Sequence, residues 1–120
     1  MLNASAVQLY NMINNVASNA LNYTPVGEKI EVTAWAEEKD IFIKVRDYGP
    51  GVPEVHLEDI FRAFYRIDSS RARESGGVGL GLAIAKQVAI SHGGNIFATN
   101  CHPGLCITMK IPLTNNLASN

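Results

Sequence analysis

Four glycines stand within six positions of the chain, and an apolar helical pattern follows them directly. They are Gly76, Gly77, Gly79 and Gly81. Because a glycine inside an element costs about 0.5–1 kcal/mol relative to alanine, such a cluster needs a physical reason. One reason is a backbone that turns tightly and brings its N–H groups to a phosphate, with the dipole of the next helix pointing to the same place. The alternative is a flexible linker, which does not account for the apolar Leu80 and Leu82 beside the glycines.

Two common phosphate-binding loops do not fit this stretch. A Walker loop ends in Gly-Lys-Ser or Gly-Lys-Thr, whereas Gly81 is followed by Leu82 and Ala83. A dinucleotide-binding loop follows an apolar strand, whereas residues 68–75 are polar and charged. The sequence therefore indicates a nucleotide-binding loop of another kind.

A row of asparagines provides the second set of polar groups. Residues 5–23 are predicted to form a helix, because apolar residues recur at helical spacing on one face, namely Leu9, Ile13, Val16 and Ala20. The opposite face carries Asn11, Asn15, Asn19 and Asn22. Amide groups suit polyphosphate oxygens and a hydrated Mg²⁺ ion, which prefers oxygen ligands. The alternative is an ordinary surface that is rich in asparagine.

Asp47 ends a predicted strand and is followed by Gly49 and Gly51. Such a segment forms a turn on any interpretation. As part of a site, the carboxylate could accept a hydrogen bond from an exocyclic amine, and the glycines would let the backbone approach a flat base. Tyr23, at the end of the first helix, could present its ring to that base or lie in the core.

The elements that would position these groups are two hairpins and two further helices. The first hairpin joins strands 29–36 and 41–46; the first strand carries Ile30, Val32, Ala34 and Ala36 on one face, and the second points Ile41, Ile43 and Val45 inward. The second hairpin joins strands 95–100 and 105–113. A short helix is predicted over residues 53–60, and a longer one continues from the glycines to His92. Residues 69–75 are polar and aperiodic, which is typical of a mobile loop over a site.

The composition is that of one globular domain. The chain has 120 residues, of which 47% are hydrophobic and 18% charged. A net charge of −1 provides no basic surface, which argues against nucleic acid as a partner. No apolar run approaches the ~20 residues of a membrane span, and the N-terminus lacks a signal-peptide pattern. Cys101 and Cys106 make a poor zinc site, and we expect reduced, packed thiols rather than a disulfide.

Taken together, four ordered segments resemble the catalytic, ATP-binding domain of bacterial sensor histidine kinases, within the gyrase, Hsp90, histidine kinase and MutL superfamily. The resemblance covers residues 6–112. Its segments are 15–25 (N box), 47–51 (first glycine box), 61–66 (F box) and 77–81 (second glycine box). Residues 73–77 resemble Cpx-type envelope-stress sensor kinases.

The resemblance implies an α/β two-layer sandwich of the Bergerat type, with a mixed, mostly antiparallel sheet packed against three helices. ATP and Mg²⁺ are the implied cofactors. Asn19, with Asn15 one turn earlier, would hold Mg²⁺ and the triphosphate, and Asp47 would bond to the adenine amine. Arg66 would reach the γ-phosphate or the partner domain. The full set of implied ATP-binding residues is Asn15, Asn19, Asn22, Tyr23, Asp47, Gly49, Gly51, Phe61, Phe64, Arg66, Gly77, Val78, Gly79, Leu80, Gly81 and Leu82, with Phe61 and Phe64 anchoring a lid.

The resemblance also implies partners that the chain itself lacks. None of His56, His92 and His102 lies in the family's phospho-acceptor motif, so the chain would bind ATP without phosphorylating itself. It would be a monomeric cytoplasmic fragment of a homodimeric inner-membrane kinase. The γ-phosphate would pass to a histidine on the separate dimerisation domain, and the full kinase would act on a response regulator.

Two departures from related proteins leave alternatives open. Many family members carry a lysine or arginine in place of Asn22, so a degenerate nucleotide-binding or partner-binding module is one alternative. An ATP hydrolase is the other, but such relatives place a glutamate base where this chain has Asn15, which argues against it.

Overall fold

A computed structural model of the chain describes residues 4–63 and 81–112, with side chains from residue 6 onward. Its elements follow the predicted order. They are α1 (Ala4–Tyr23), β1 (Glu31–Glu37), β2 (Asp40–Arg46), two 3₁₀ helices (Glu54–His56 and Asp59–Phe61), α2 (Gly81–Ser91), β3 (Asn95–Asn100) and β4 (Leu105–Pro112). None of the helices in these ranges combines the length and the apolar character needed to cross a bilayer.

The four described strands form one antiparallel sheet in the order β1-β2-β4-β3. Strand β4 follows β3 in sequence but lies between β2 and β3, and it pairs with both. Helices α1 and α2 pack against each other and against the sheet. The predicted two-layer α/β sandwich is therefore confirmed, and its described strands are antiparallel throughout.

The core lies between the two helices and the strands β2, β3 and β4. Met12 and Val16 of α1 and Met109 of β4 are fully buried. They belong to one cluster with Ala85 and Ala89 of α2, whose small side chains allow a short distance between the helices. Burying each large apolar side chain stabilises the fold by about 1.5–3 kcal/mol, so this cluster holds the helices on the sheet.

Strand β1 differs from the prediction. The alternating pattern, which placed Val32, Ala34 and Ala36 on one face, is typical of a half-buried strand, but all seven residues of β1 are exposed. The physical reason is that β1 is the edge strand, whereas the helices pack over the other three strands. Trp35 of β1 instead stacks on Phe42 of β2, with ring centroids 5.3 Å apart.

The prediction of a single short helix over residues 53–60 is also wrong. The chain forms two separate 3₁₀ helices there, closed by bonds from the N–H of His56 to the carbonyl of Pro53 and from the N–H of Arg62 to the carbonyl of Asp59, at 2.8 and 2.9 Å. A segment this short gains too few hydrogen bonds to propagate an α-helix, and 3₁₀ turns are common in such connectors.

The expectation of reduced thiols is wrong as well, because Cys101 and Cys106 form a disulfide. Asn100 pairs with Leu105 at the end of the β3–β4 hairpin, so the two cysteines flank a tight turn. Their Cα atoms are 6.2 Å apart, within the range that a disulfide can bridge. The hairpin register therefore brings together two cysteines whose spacing alone did not favour a disulfide.

Candidate nucleotide-binding site

Asp47 lies one residue beyond β2, where its N–H donates to the carbonyl of Leu105 at 2.9 Å. The residue is only 4% exposed. Two backbone groups donate to the carboxylate, and both bond to Oδ1: the N–H of Gly49 at 2.9 Å and the N–H of Leu105 at 3.1 Å. Within the described ranges no group bonds to Oδ2, so that oxygen is available to an N–H of a ligand.

The environment of Asp47 opposes its charge. Burial raises the pKa of the carboxyl above its ordinary value, because the charged form loses hydration. The N–H groups of Gly49 and Leu105 and the charge of Arg46 act in the opposite direction. A ligand amine that donated to Oδ2 would replace part of the lost hydration. The carboxylate is thus arranged as a buried acceptor for a neutral donor group.

The loop after Asp47 lies directly on the C-terminal end of α1. Gly49 is buried there, and a Cβ on it would overlap the carbonyl oxygen of Tyr23 and lie 3.1 Å from the carbonyl carbon. The N–H of Tyr48 also donates a long hydrogen bond, 3.4 Å, to Oγ1 of Thr24. Only glycine fits at position 49, and its contact brings two of the predicted motifs together.

The start of α2 lies beside the asparagine row of α1. A Cβ on Gly81 would be 3.9 Å from the carbonyl oxygen of Asn15 and 4.0 Å from its Cβ. Asn15 and Asn19 are half-buried, whereas Asn22 is exposed. The first N–H groups of a helix have no partner within the helix, and its dipole favours an anion at that end. This end of α2 and the amide of Asn15 are therefore neighbours, as a phosphate site requires.

Phe61 and Leu82 are core residues, 6% and 8% exposed. The ammonium group of Lys86 on α2 lies 5.7 Å from the centroid of the Phe61 ring. The predicted role of Phe61 as an anchor is untested, since the remaining residues of the predicted lid and glycine loop lie outside the described ranges. These are Phe64, Arg66, Gly77, Val78, Gly79 and Leu80.

The described residues fit an adenine nucleotide in three respects. Asp47 has an oxygen to which no described group bonds, Gly49 lets the loop lie directly on the C-terminal end of α1, and Asn15 lies beside the start of α2. In the described part of the chain no group of three or more His, Cys, Asp and Glu residues could hold a metal. The prediction that Asn19 would hold a Mg²⁺ ion together with phosphate oxygens rests on the family resemblance, and such an ion would neutralise phosphate charge.

Sequence reasoning missed three residues that shape this site. Thr24 and Leu105 bond to the loop after Asp47, and Asn100 bonds to its far end at Val52. Leu105 contributes through its backbone, which leaves no signature in the sequence. Asn100 stands at the end of a predicted strand, and only knowledge of the sheet order could have placed it beside the loop.

Comparison with known proteins identifies the class. The family described as histidine kinase-, DNA gyrase B-, and HSP90-like ATPase matches residues 4–115, and the chain belongs to this family. Sensor histidine kinase WalK of Bacillus subtilis (strain 168) is 41% identical over 104 residues, which cover 84% of this chain. The chain spans 17% of the length of WalK and 24% of the next two relatives.

Solved structures agree with the family assignment. The nucleotide-free catalytic domain of histidine kinase ThkA is 28% identical with a TM-score of 0.79, covering 92% of this chain and 70% of that one. Full-length ShkA in complex with AMPPNP is also 28% identical, with a TM-score of 0.74, covering 88% of this chain and 21% of that one. The Bergerat type of sandwich is thereby confirmed. The chain is a homologue of the catalytic domains of sensor histidine kinases.

Proposed function

We propose that the chain binds Mg-ATP and donates the γ-phosphate to a histidine on a separate dimerisation and phospho-acceptor domain, in two-component signalling. The observation that carries the proposal is the Asp47 carboxylate, which is buried and whose Oδ2 accepts no hydrogen bond from any described group. The AMPPNP bound by the similar kinase ShkA supports an adenine nucleotide as the ligand.

The proposed roles of the individual residues follow the family resemblance. Asp47 receives the adenine amine, and Asn19 with Asn15 holds Mg²⁺ and the triphosphate. Gly81 contributes its backbone and the start of α2 to the phosphates. Phosphoryl transfer depends mainly on positioning and charge neutralisation: the asparagines and the backbone of Gly81 would position the phosphates, whereas Mg²⁺ and Arg66 would neutralise their charge. The acceptor histidine comes from the partner domain.

The partners and the location are part of the same proposal. We assign the chain to the cytoplasmic portion of a homodimeric membrane sensor, because it spans only a small fraction of relatives that are named sensor kinases. A complex of ThkA with the response regulator TrrA supports a response regulator as the downstream partner. The Cpx-type hint in residues 73–77 stays a prediction, since relatives named after several different sensors match at comparable identity.

Nucleotide binding is the first test. Calorimetry with Mg-ADP and with Mg-AMPPNP should give saturable heat, and Asp47→Asn should lower the preference for adenine over guanine nucleotides. The absence of heat with either nucleotide would refute the proposed function. Val26→Ala is a control, because the Val26 side chain is fully exposed on the turn after α1.

Phosphoryl transfer is the second test. The chain is mixed with Mg-ATP and the dimerisation domain of the same protein, and the product is examined for acid-labile phosphohistidine. Its formation supports the kinase proposal. Nucleotide binding without phosphohistidine would favour the alternative of a non-catalytic nucleotide-binding module. The uncharged and exposed Asn22 at the end of α1 is the feature that supports this alternative.

A further inference from the structure

Asn100 is the last residue of β3 and belongs to none of the recognised motifs. Its side chain bonds to the backbone of a single residue, Val52, which lies 48 positions earlier. Oδ1 accepts the N–H of Val52 at 2.9 Å, and Nδ2 donates to the carbonyl of Val52. One amide thus satisfies both backbone groups of a loop residue that has no strand partner.

The same amide contacts the residue before Val52. Gly51 has a φ of +79°, and a Cβ on it would lie 2.8 Å from Oδ1 of Asn100 and 3.3 Å from the carbonyl oxygen of Gly104. The backbone at Gly51 therefore lies against the β3–β4 hairpin with no room for a side chain. A left-handed φ combined with a close contact fixes the direction in which the loop leaves the site.

The loop between Asp47 and Val52 is held by the β3–β4 hairpin at both ends. At its start, Leu105 donates its N–H to the Asp47 carboxylate; at its end, Asn100 bonds to Val52. Between these points, Gly49 lies on the carbonyl of Tyr23. If the bonds from Asn100 were lost, the Val52 side chain would still pack against the core, but no described hydrogen bond would hold the Val52 backbone; the contacts at the start of the loop and with α1 would remain.

We infer that Asn100 is a positioning residue of the nucleotide site, which holds the loop so that Asp47 and Gly49 meet the adenine in one fixed geometry. The inference rests on the proposed function. Asn100 acts through the loop, because both its amide atoms bond to Val52. The consequence is that a residue outside the site contributes to the choice of adenine over guanine.

The test compares the binding of Mg-ADP and Mg-GDP by calorimetry in the wild-type chain, Asn100→Ala and Asn95→Ala. Asn95 is the matched control, since it lies at the opposite end of the same strand and its Oδ1 accepts only the N–H of its neighbour Ile96. Asn100→Ala should weaken Mg-ADP about fivefold, the order expected from the loss of one net hydrogen bond, and Mg-GDP less. Asn95→Ala should leave the ratio of the two affinities unchanged.

A double mutant with Asp47 distinguishes the proposed positioning role of Asn100 from a purely structural role. If Asn100 acts through the carboxylate, Asn100→Ala should have little further effect on the ADP/GDP ratio once Asp47→Asn is present. A lower melting temperature with an unchanged ADP/GDP ratio would overturn the inference, as would fully additive effects. If Asn100→Ala does not fold, Asn100→Asp serves instead, because it keeps the acceptor for the Val52 N–H; an unchanged ratio in that variant overturns the inference too. Failure of the wild-type chain to bind Mg-ADP would refute the proposed function itself, which keeps the two failures distinct.

Discussion

Two glycines of the site should respond in opposite ways to alanine. At Gly49 an added Cβ would overlap the Tyr23 carbonyl oxygen and lie 3.4 Å from Oδ1 of Asp47. At Gly81 the nearest atoms are the carbonyl oxygen and the Cβ of Asn15, at 3.9 and 4.0 Å, which is ordinary contact. Neither glycine has a left-handed φ, so space alone distinguishes them.

The magnitudes follow from that difference. The obstacle at Gly49 is backbone at the end of α1, which cannot turn aside as a side chain would, so Gly49→Ala should cost about 1–3 kcal/mol of unfolding free energy. Gly81→Ala should stabilise α2 by about 0.5–1 kcal/mol, because alanine loses less entropy than glycine on folding. The two variants should therefore differ by about 1.5–4 kcal/mol. Both should weaken Mg-ADP, Gly49→Ala by displacing the base site and Gly81→Ala by crowding the phosphates.

Urea unfolding followed by circular dichroism measures these free energies. Trp35, the single tryptophan, gives a second signal, because its stacking on Phe42 is lost on unfolding. A melting-temperature shift of about 4 °C per kcal/mol is expected for a domain of this size. Equal stability of the two variants would refute the inferred contact between Gly49 and Tyr23. A Gly81→Ala variant with wild-type affinity would remove Gly81 from the phosphate site.

Three further predictions concern charge, metal and covalent structure. Because burial raises the pKa of Asp47, its carboxyl group stays protonated to higher pH in the folded chain than in the unfolded chain. The protonated carboxyl therefore contributes fully to stability in acid, and this contribution is lost as pH rises through the raised pKa. The stability advantage of Asp47→Asn over wild type should therefore grow as pH rises, and a constant difference in urea titrations across that range would contradict the raised pKa. Asn19→Ala should weaken Mg-ADP more than metal-free ADP in calorimetry, and equal losses would move the metal site elsewhere. Reducing the disulfide between Cys101 and Cys106 should lower the unfolding free energy by about 2 kcal/mol, because the unfolded chain regains the entropy of this short loop. Identical urea unfolding with and without dithiothreitol would show that the bond contributes nothing.

The sequence predicted the elements that are defined by local patterns. Helix α1 was expected over residues 5–23 and runs from Ala4 to Tyr23, because its apolar stripe and the following proline are both local signals. The two hairpins were likewise located within one or two residues of their observed ends. The sequence also placed Asp47 and Gly49 directly after the second strand, where the structure has them, and their role in nucleotide binding stays a prediction.

Features that depend on the order of the strands were not predictable in this way. An alternating pattern places Val32 on one face of β1 but does not reveal that β1 is an edge strand whose seven residues are all exposed. The pairing of Asn100 with Leu105 brings Cys101 and Cys106 together, yet nothing local in the sequence specifies that register. The bonds from Asn100 to Val52 require the same long-range knowledge. The sequence thus indicated which residues could take part in chemistry, whereas the contacts that hold those residues in place depend on tertiary structure.

The bond from Leu105 to Asp47 joins residues 58 positions apart, and this separation has a consequence for biosynthesis. Residues 47–51 leave the ribosome well before β4, the strand that lies between β2 and β3 and supplies the second donor to the carboxylate. A nascent chain that has emerged only as far as β3 therefore lacks one of the two backbone donors to Asp47, and with it the complete form of the proposed adenine site, however well its first hairpin has formed. Non-local strand pairing of this kind forms late, because the entropy cost of closing the long intervening loop must be met before the pairing adds any stability. Nucleotide capture should thus begin only when β4 docks, so that binding of nucleotide marks a finished sheet.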